Sequence, residues 1–215
     1  MKVLIISGFL GSGKTSVLLQ LARYIVRNSD KTNRVAIIEN EIGDVGIDDK
    51  VLRSAGYVVK EIFAGCVCCG LTGNLIAAVQ NIQNSMDPEW LIIEATGVAC
   101  PSNIVDALWH NLRVNAKVVT IIDASRWKRI YLALKQLIEG QLVGAQIALI
   151  NKSDLVDDKE LDMIEEQVIS HNAVTQLYRI CGTKEIDTDI LRAVLNGNIT
   201  GISAFIETPE VSYQD

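Results

Sequence analysis

Gly8-Phe9-Leu10-Gly11-Ser12-Gly13-Lys14-Thr15 lies between an apolar run, Lys2–Ser7, and an amphipathic stretch, Lys14–Arg27. A G-x-x-x-x-G-K-[ST] pattern between a strand and a helix is the setting in which backbone N–H groups can curl around phosphate oxygens. The glycines let the chain turn tightly, the Lys reaches the β and γ phosphates, and the hydroxyl can hold Mg²⁺. Gly8, Gly11, Ser12, Gly13, Lys14, Thr15 and Ser16 are therefore the expected nucleotide contacts, with Thr15 also a magnesium ligand.

Outward from this loop, apolar runs of strand length alternate with helix-length segments. Strands are expected near Lys2–Ser7, Arg34–Glu39, Val58–Ile62, Trp90–Glu94, Lys117–Asp123, Gln146–Ile150 and Thr175–Ile180. Helices fit Lys14–Arg27, Leu71–Gln83, Ser102–His110, Arg126–Leu137, Asp158–Ser170 and Asp187–Leu195, with Pro101 and Asp157 near helix starts. The alternation predicts an α/β fold whose mostly parallel sheet is flanked by helices. No repeat, low-complexity tract or linker interrupts the chain, so residues 1–215 read as one domain.

Composition narrows the function. At 49% hydrophobic and 21% charged, the chain argues against disorder, and no apolar run is long enough to cross a bilayer. A net charge of −6 argues against a nucleic-acid partner, whose phosphates need a basic face. Because Met1–Gly11 runs directly into the phosphate loop, it reads as strand and turn, not as a secretory leader, and a cytoplasmic chain with no membrane partner is expected.

Asn151-Lys152-Ser153-Asp154 follows the strand Gln146–Ile150. Asp154 can accept two hydrogen bonds from guanine, at N1–H and at the exocyclic amine, which adenine does not offer; GTP is thus favoured over ATP. The same segment argues against a small-metabolite kinase. Two acids end apolar strands, Glu94 and Asp123. Glu94 is the better magnesium partner, because Gly97 follows it in an acid-x-x-Gly arrangement suited to sensing the γ-phosphate; Asp123 is expected to orient its own loop. Lys14 and Glu94 are the expected catalytic groups. Asp44, Glu41 and Asp48, from the acidic loop Glu39–Asp49, are candidates to orient water, with Asp44 carried as the catalytic one.

Gly65-Cys66-Val67-Cys68-Cys69-Gly70 places three thiols within four residues. Thiolates suit Zn²⁺ and other late transition metals, and three leave one corner of a tetrahedron open. Glu41 or a second monomer would fill it. His110 and His171 stand far from the thiols in sequence; His171 reads as a helix-end residue, and Cys100 and Cys181 as packing residues.

Taken together, GFLGSGKT (Gly8–Thr15), ENEIGDVGID (Glu39–Asp48), the C-x-C-C segment, Glu94–Gly97 and Asn151–Asp154 resemble the CobW-like metallochaperone GTPases, a class related to the urease and hydrogenase nickel-insertion GTPases. The resemblance spans about Met1 to Ile180. It implies a P-loop fold of SIMIBI type and GTP- and Mg²⁺-dependent handling of zinc or cobalt, delivered to a client metalloenzyme or a corrinoid-pathway protein. It also implies roles: Cys66, Cys68 and Cys69 with Glu41 hold the cargo, and Asn151, Lys152 and Asp154 read guanine. Two departures stand out. Cys100 precedes Pro101 where the family usually has Asp, and the second C-terminal domain usual in the family is not expected here, which points to a partner subunit, a homodimer or a distinct branch. The alternative is a non-catalytic docking subunit with a structural zinc.

Overall fold

In β1 (Lys2–Ser7) every residue after Lys2 is buried, so both faces of this strand must be covered. A computed structural model describes residues 1–28, 35–39, 58–61, 71–173 and 175–196. The other strands are β2 (Val35–Glu39), β3 (Val58–Glu61), β4 (Trp90–Glu94), β5 (Ala116–Asp123), β6 (Ile147–Asn151) and β7 (Gln176–Arg179). All seven pair in parallel, in the order β3-β2-β4-β1-β5-β6-β7. Each expected strand is present.

The helices are α1 (Lys14–Asn28), α2 (Leu71–Met86), α3 (Pro101–Leu112), α4 (Trp127–Ala133), α5 (Lys135–Leu142), α6 (Asp158–His171) and α7 (Thr188–Asn196). Alternate residues of β1 serve opposite layers, because successive side chains of a strand point to opposite faces. Leu4 and Ile6 pack with Val17, Leu18 and Leu21 of α1 and with Leu191 and Val194 of α7. Val3 and Ile5 pack with Val79 and Ile82 of α2 and Leu108 of α3. A third cluster joins Trp127, Ile138 and Leu161 to Ile122 and Ile150. Each such buried side chain stabilises the fold by roughly 1.5–3 kcal/mol.

The single helix expected over Arg126–Leu137 is a correction. A 3₁₀ turn at Ala124–Arg126 leads into α4, and Leu134, at φ −133° and ψ 38°, separates α4 from α5. Leu134 is exposed where a continuous apolar stripe would bury it, and the break brings Ile130 of α4 and Ile138 of α5 into the same core cluster. Elsewhere the start signals hold: Pro101 opens α3, and the Asp157 carboxylate accepts the Glu160 N–H at 2.8 Å.

Lys117 is an unexpected member of the core. It lies inside β5, 2% exposed, and its ammonium donates to the carbonyls of Ala193 (3.1 Å) and Val194 (2.6 Å) in the last turn of α7. Burial lowers its pKa from 10.5 to about 8. In that window the unfolded chain still holds the proton that the folded chain has released, so the native state gains stability as pH rises from about 8 to 10.5. In Lys117→Met that contribution disappears. Urea denaturation at about pH 7 and pH 10 checks it: the native midpoint should rise relative to the variant's, and an unchanged gap refutes it.

Candidate functional site

The turn after β1 and the start of α1 form a cradle at the carboxyl edge of the sheet, where the first N–H groups of a helix lack intrahelical acceptors. Lys14 is 3% exposed, and among the described residues no acceptor pairs with its ammonium. Ser7 Oγ and Ser12 Oγ are likewise buried without a hydrogen-bond partner. Buried donors of this kind are costly unless an anion meets them. The first N–H groups of α1, two hydroxyls and a cation make up the donor set that a polyphosphate satisfies.

The Asn151–Asp154 segment holds this loop in place. The Asn151 side chain donates from Nδ2 to the Ser12 carbonyl at 2.8 Å, while its Oδ1 accepts from the N–H groups of Gly182 (2.7 Å) and Lys152 (2.8 Å). Gly13, at φ +97°, is required here, since a Cβ would lie 2.3 Å from Asn151 Nδ2. Lys152 adopts the left-handed region at φ 60° and donates from Nζ to the Gly11 carbonyl (2.9 Å) and to Asp123 (2.6 Å). Asp123 also accepts from Ser125 and Arg126, each at 2.6 Å, and Arg126 in turn donates to the Leu10 carbonyl at 2.7 Å. Burial opposes ionisation of Asp123, but the hydrogen bonds from Lys152, Ser125 and Arg126 outweigh it and hold the carboxyl below its usual range. Asp123 thus orients its own loop, as expected, and fastens the phosphate loop as well.

Asp154 stands exposed in a 3₁₀ turn, Ser153–Leu155. A hydrogen bond from the Cys181 thiol, aided by the charge of Lys184, keeps its carboxylate below the ordinary range. Cys181 therefore has a partner beyond packing; its sulfur also lies 3.2 Å from Thr183 Oγ1.

On the other side of the cradle, Glu94 ends β4, 3% exposed, and accepts from Thr15 Oγ1 at 3.0 and 3.3 Å. Gly97 packs so closely on the phosphate loop that a Cβ would come within 2.6 Å of the Leu10 nitrogen. A group missed by sequence reading holds this segment: Gln141 of α5 donates to the carbonyls of Gly97 (3.0 Å) and Ala99 (3.3 Å), and its own carbonyl accepts from Thr120 Oγ1 at 2.7 Å. A polar residue one turn beyond Ile138 on an apolar stripe was the available signal. The Cys100 sulfur would lie 3.0 Å from a Cβ on Gly140, so its thiol packs on α5. His171 meets the Tyr131 hydroxyl at 2.6 Å, the helix-end role expected of it.

Glu41, Asp44, Asp48, Cys66, Cys68 and Cys69 lie outside the described residues, and among the described residues no cluster of metal-ligating side chains occurs. The strands that precede those segments are described. Glu39 at the end of β2 is in register with Glu94 of β4 and with Glu61 of β3, so both strands end on the edge that carries the phosphate loop.

The model of the CobW/HypB/UreG nucleotide-binding domain matches residues 2–179. The zinc chaperone YeiR of Escherichia coli is 34% identical over 157 residues, covering 70% of this chain and 46% of the relative. Zinc-regulated GTPase metalloprotein activator 1 of Dictyostelium discoideum is 28% identical, covering 82% and 45%. The chain thus spans about half the length of the relatives it matches. The crystal structure of the Zn(II)-bound YjiA GTPase from E. coli superposes with a TM-score of 0.64 at 24% identity, covering 89% of this chain and 60% of that one. The fold is that of the SIMIBI-type P-loop GTPases. Among the described residues no helix is long and apolar enough to cross a membrane.

Truncating Asn151 to Ala strips the Ser12 carbonyl and the Gly182 N–H of their partner at once. Leaving such buried groups unsatisfied should cost about 2–3 kcal/mol of stability, read from urea unfolding of the nucleotide-free chain. A loss within experimental error would show that the amide does not hold the loop.

Proposed function

This chain belongs to the CobW/HypB/UreG family as a GTPase domain, and on that premise we propose that it binds and hydrolyses GTP to load and release a transition metal, zinc or cobalt, for a client protein. The clients are metalloenzymes or corrinoid-pathway proteins. The bond between Thr15 and Glu94 carries the reading: it joins the nucleotide cradle to β4, β4 pairs with β2, which leads to the acidic segment, and β2 in turn pairs with β3, which leads to the thiol-bearing one. The zinc named for YeiR and for the YjiA structure supports zinc as cargo.

Each side chain then has a task. Lys14 and the N–H groups of Gly11–Thr15 neutralise and orient the phosphates, with Gly8 and Ser16 completing the loop. Thr15 and Glu94 offer oxygen donors only, a set that suits a hard cation such as Mg²⁺, which when bound adds charge neutralisation at the phosphates. The Gly97 N–H meets the γ-phosphate and reports its loss, while Asp44 orients water. Asp154 accepts from guanine while Asn151 and Lys152 frame the base. Cys66, Cys68 and Cys69, with Glu41, hold the cargo.

Two variants separate nucleotide from metal. Lys14→Ala should weaken binding of a GTP analogue by about 100-fold, equivalent to about 2.7 kcal/mol, and leave Zn²⁺ stoichiometry intact. Changing Cys66, Cys68 and Cys69 together to Ser should abolish stoichiometric Zn²⁺ or Co²⁺ binding and leave nucleotide affinity intact. Isothermal titration measures both, and retained metal stoichiometry in the Ser variant sinks the cargo assignment. Mg²⁺-dependent phosphate release that changes with Zn²⁺ is the expected kinetic result; its complete absence would instead mark a docking subunit with a structural zinc.

A further inference from the structure

Behind the base-side turn, α1 and α7 enclose an open groove of about 590 Å³. One wall is the face of α1 that carries Ser16, Gln20, Arg23 and Arg27; the other is the turn Gly182–Ile186 and α7 as far as Arg192. In a chain of net charge −6, this groove gathers Arg23, Arg27, Lys184 and Arg192 against one acid, Glu185, among the described residues that line it. Arg192 is held by Asp189 at 2.6 Å. Arg23 and Arg27 point to solvent, and among the described residues neither has an acidic partner.

The spacing of these charges identifies what they fit. Ser16 and Arg27, the two ends of the α1 wall, are separated by eleven residues of helix, about 16 Å, so the groove is an elongated one, longer than a single compact ion fills. An extended chain of about five residues covers that length. Arg23 and Arg27 are one helical turn apart, about 6 Å, which matches the spacing of alternate side chains on an extended strand, about 6.6 Å. The half-buried Leu19 and Tyr24 give the groove an apolar floor beside the charges.

That floor is preformed. The Gln20 amide donates to the carbonyls of Gly182 (3.0 Å) and Lys184 (2.9 Å) and accepts the Ile186 N–H at 2.8 Å, tying α1 to the turn whose Gly182 N–H meets Asn151. An occupant therefore presses on the back of the base-side turn, and linkage makes its affinity and that of the nucleotide reciprocal.

We infer that the α1–α7 groove is a docking site for an extended acidic peptide segment of a partner protein. The negative charge of the rest of the chain disfavours a nucleic acid in the same place.

The test uses the full chain in excess GDP and a fluorescein-labelled heptapeptide of alternating Glu and Val, with its Lys/Val counterpart as control, read by anisotropy. The acidic peptide should bind and the basic one should not, and affinity should fall at least about 5-fold between low and physiological salt. The double variant Arg23→Glu, Arg27→Glu should lose at least about 10-fold in peptide affinity, with thermal midpoint and GTP-analogue affinity unchanged, because both side chains are exposed. Equal binding of both peptides, or an unaffected double variant, overturns the proposal. So does inorganic tripolyphosphate binding tighter than the peptide under the same conditions, which would make the groove a compact-anion site.

Discussion

The side-chain amide of Asn151 is the piece on which the cradle rests. A glycine-rich turn has little of its own to hold it in shape, since its glycines lack side chains that could pack, and much of its conformation must be imposed from outside. Asn151 does this with three hydrogen bonds: a donor to Ser12 and an oxygen shared by the N–H groups of Gly182 and Lys152. Lys152 and Arg126, both held by the Asp123 carboxylate, then donate to the Gly11 and Leu10 carbonyls. The residues beside Asp154 thus also set the shape of the phosphate loop, so the two halves of the cradle are one rigid object. That rigidity lets the loop aim several donors at an anion without reorganising when the anion arrives.

Sequence made one class of feature legible. Most strands came through because they are continuous Val/Ile/Leu runs between polar breaks, and the strand–loop–helix setting of Lys14 and Thr15 because it depends on neighbours within a few residues. What stayed hidden depends on partners brought close only by the fold. Gln141 reads as one more polar helix residue until Gly97 and Ala99 lie against it, and Arg126 as a solvated base until its reach to Leu10 is seen. The same holds for Lys117 under the last turn of α7. The missed break at Leu134 has the same origin: the helical stripe runs through it unbroken, and only the packing of both halves on the third core cluster bends the chain there.

The sheet order turns these local facts into a route. The chain leaves β1 through the cradle, crosses to β2 and β3, and returns to fill the gap with β4. Glu94 therefore stands between the phosphate loop and the two strands that lead to the acidic and thiol-bearing segments. Three carboxylate-bearing positions, Glu61, Glu39 and Glu94, occupy one register across β3, β2 and β4. The span from β3 to β4 is two strand spacings, about 10 Å. Within that distance any change in charge at Thr15 and Glu94 is felt by the ends of the neighbouring strands, since about 10 Å is also the screening length in dilute salt.

Two loops are thus fastened to the cradle by different means, and the difference bears on how each would respond. The base-side turn is bolted by Asn151 and Gln20 through short neutral hydrogen bonds that do not change with the phosphate count. The segment after β4 is held by the Ala95 N–H on the Ile6 carbonyl, by Gln141 on two carbonyls, and by the close seat of Gly97 on Leu10, while its acid, Glu94, bonds the hydroxyl that would otherwise face a cation. Occupation of the proposed magnesium position must compete with the Thr15–Glu94 bond, whereas nothing need compete with Asn151. A two-state element has to be one whose contacts differ between the states, so the Glu94–Ala99 segment is where a nucleotide-dependent rearrangement would begin, with the base-side turn as the fixed frame against which it moves.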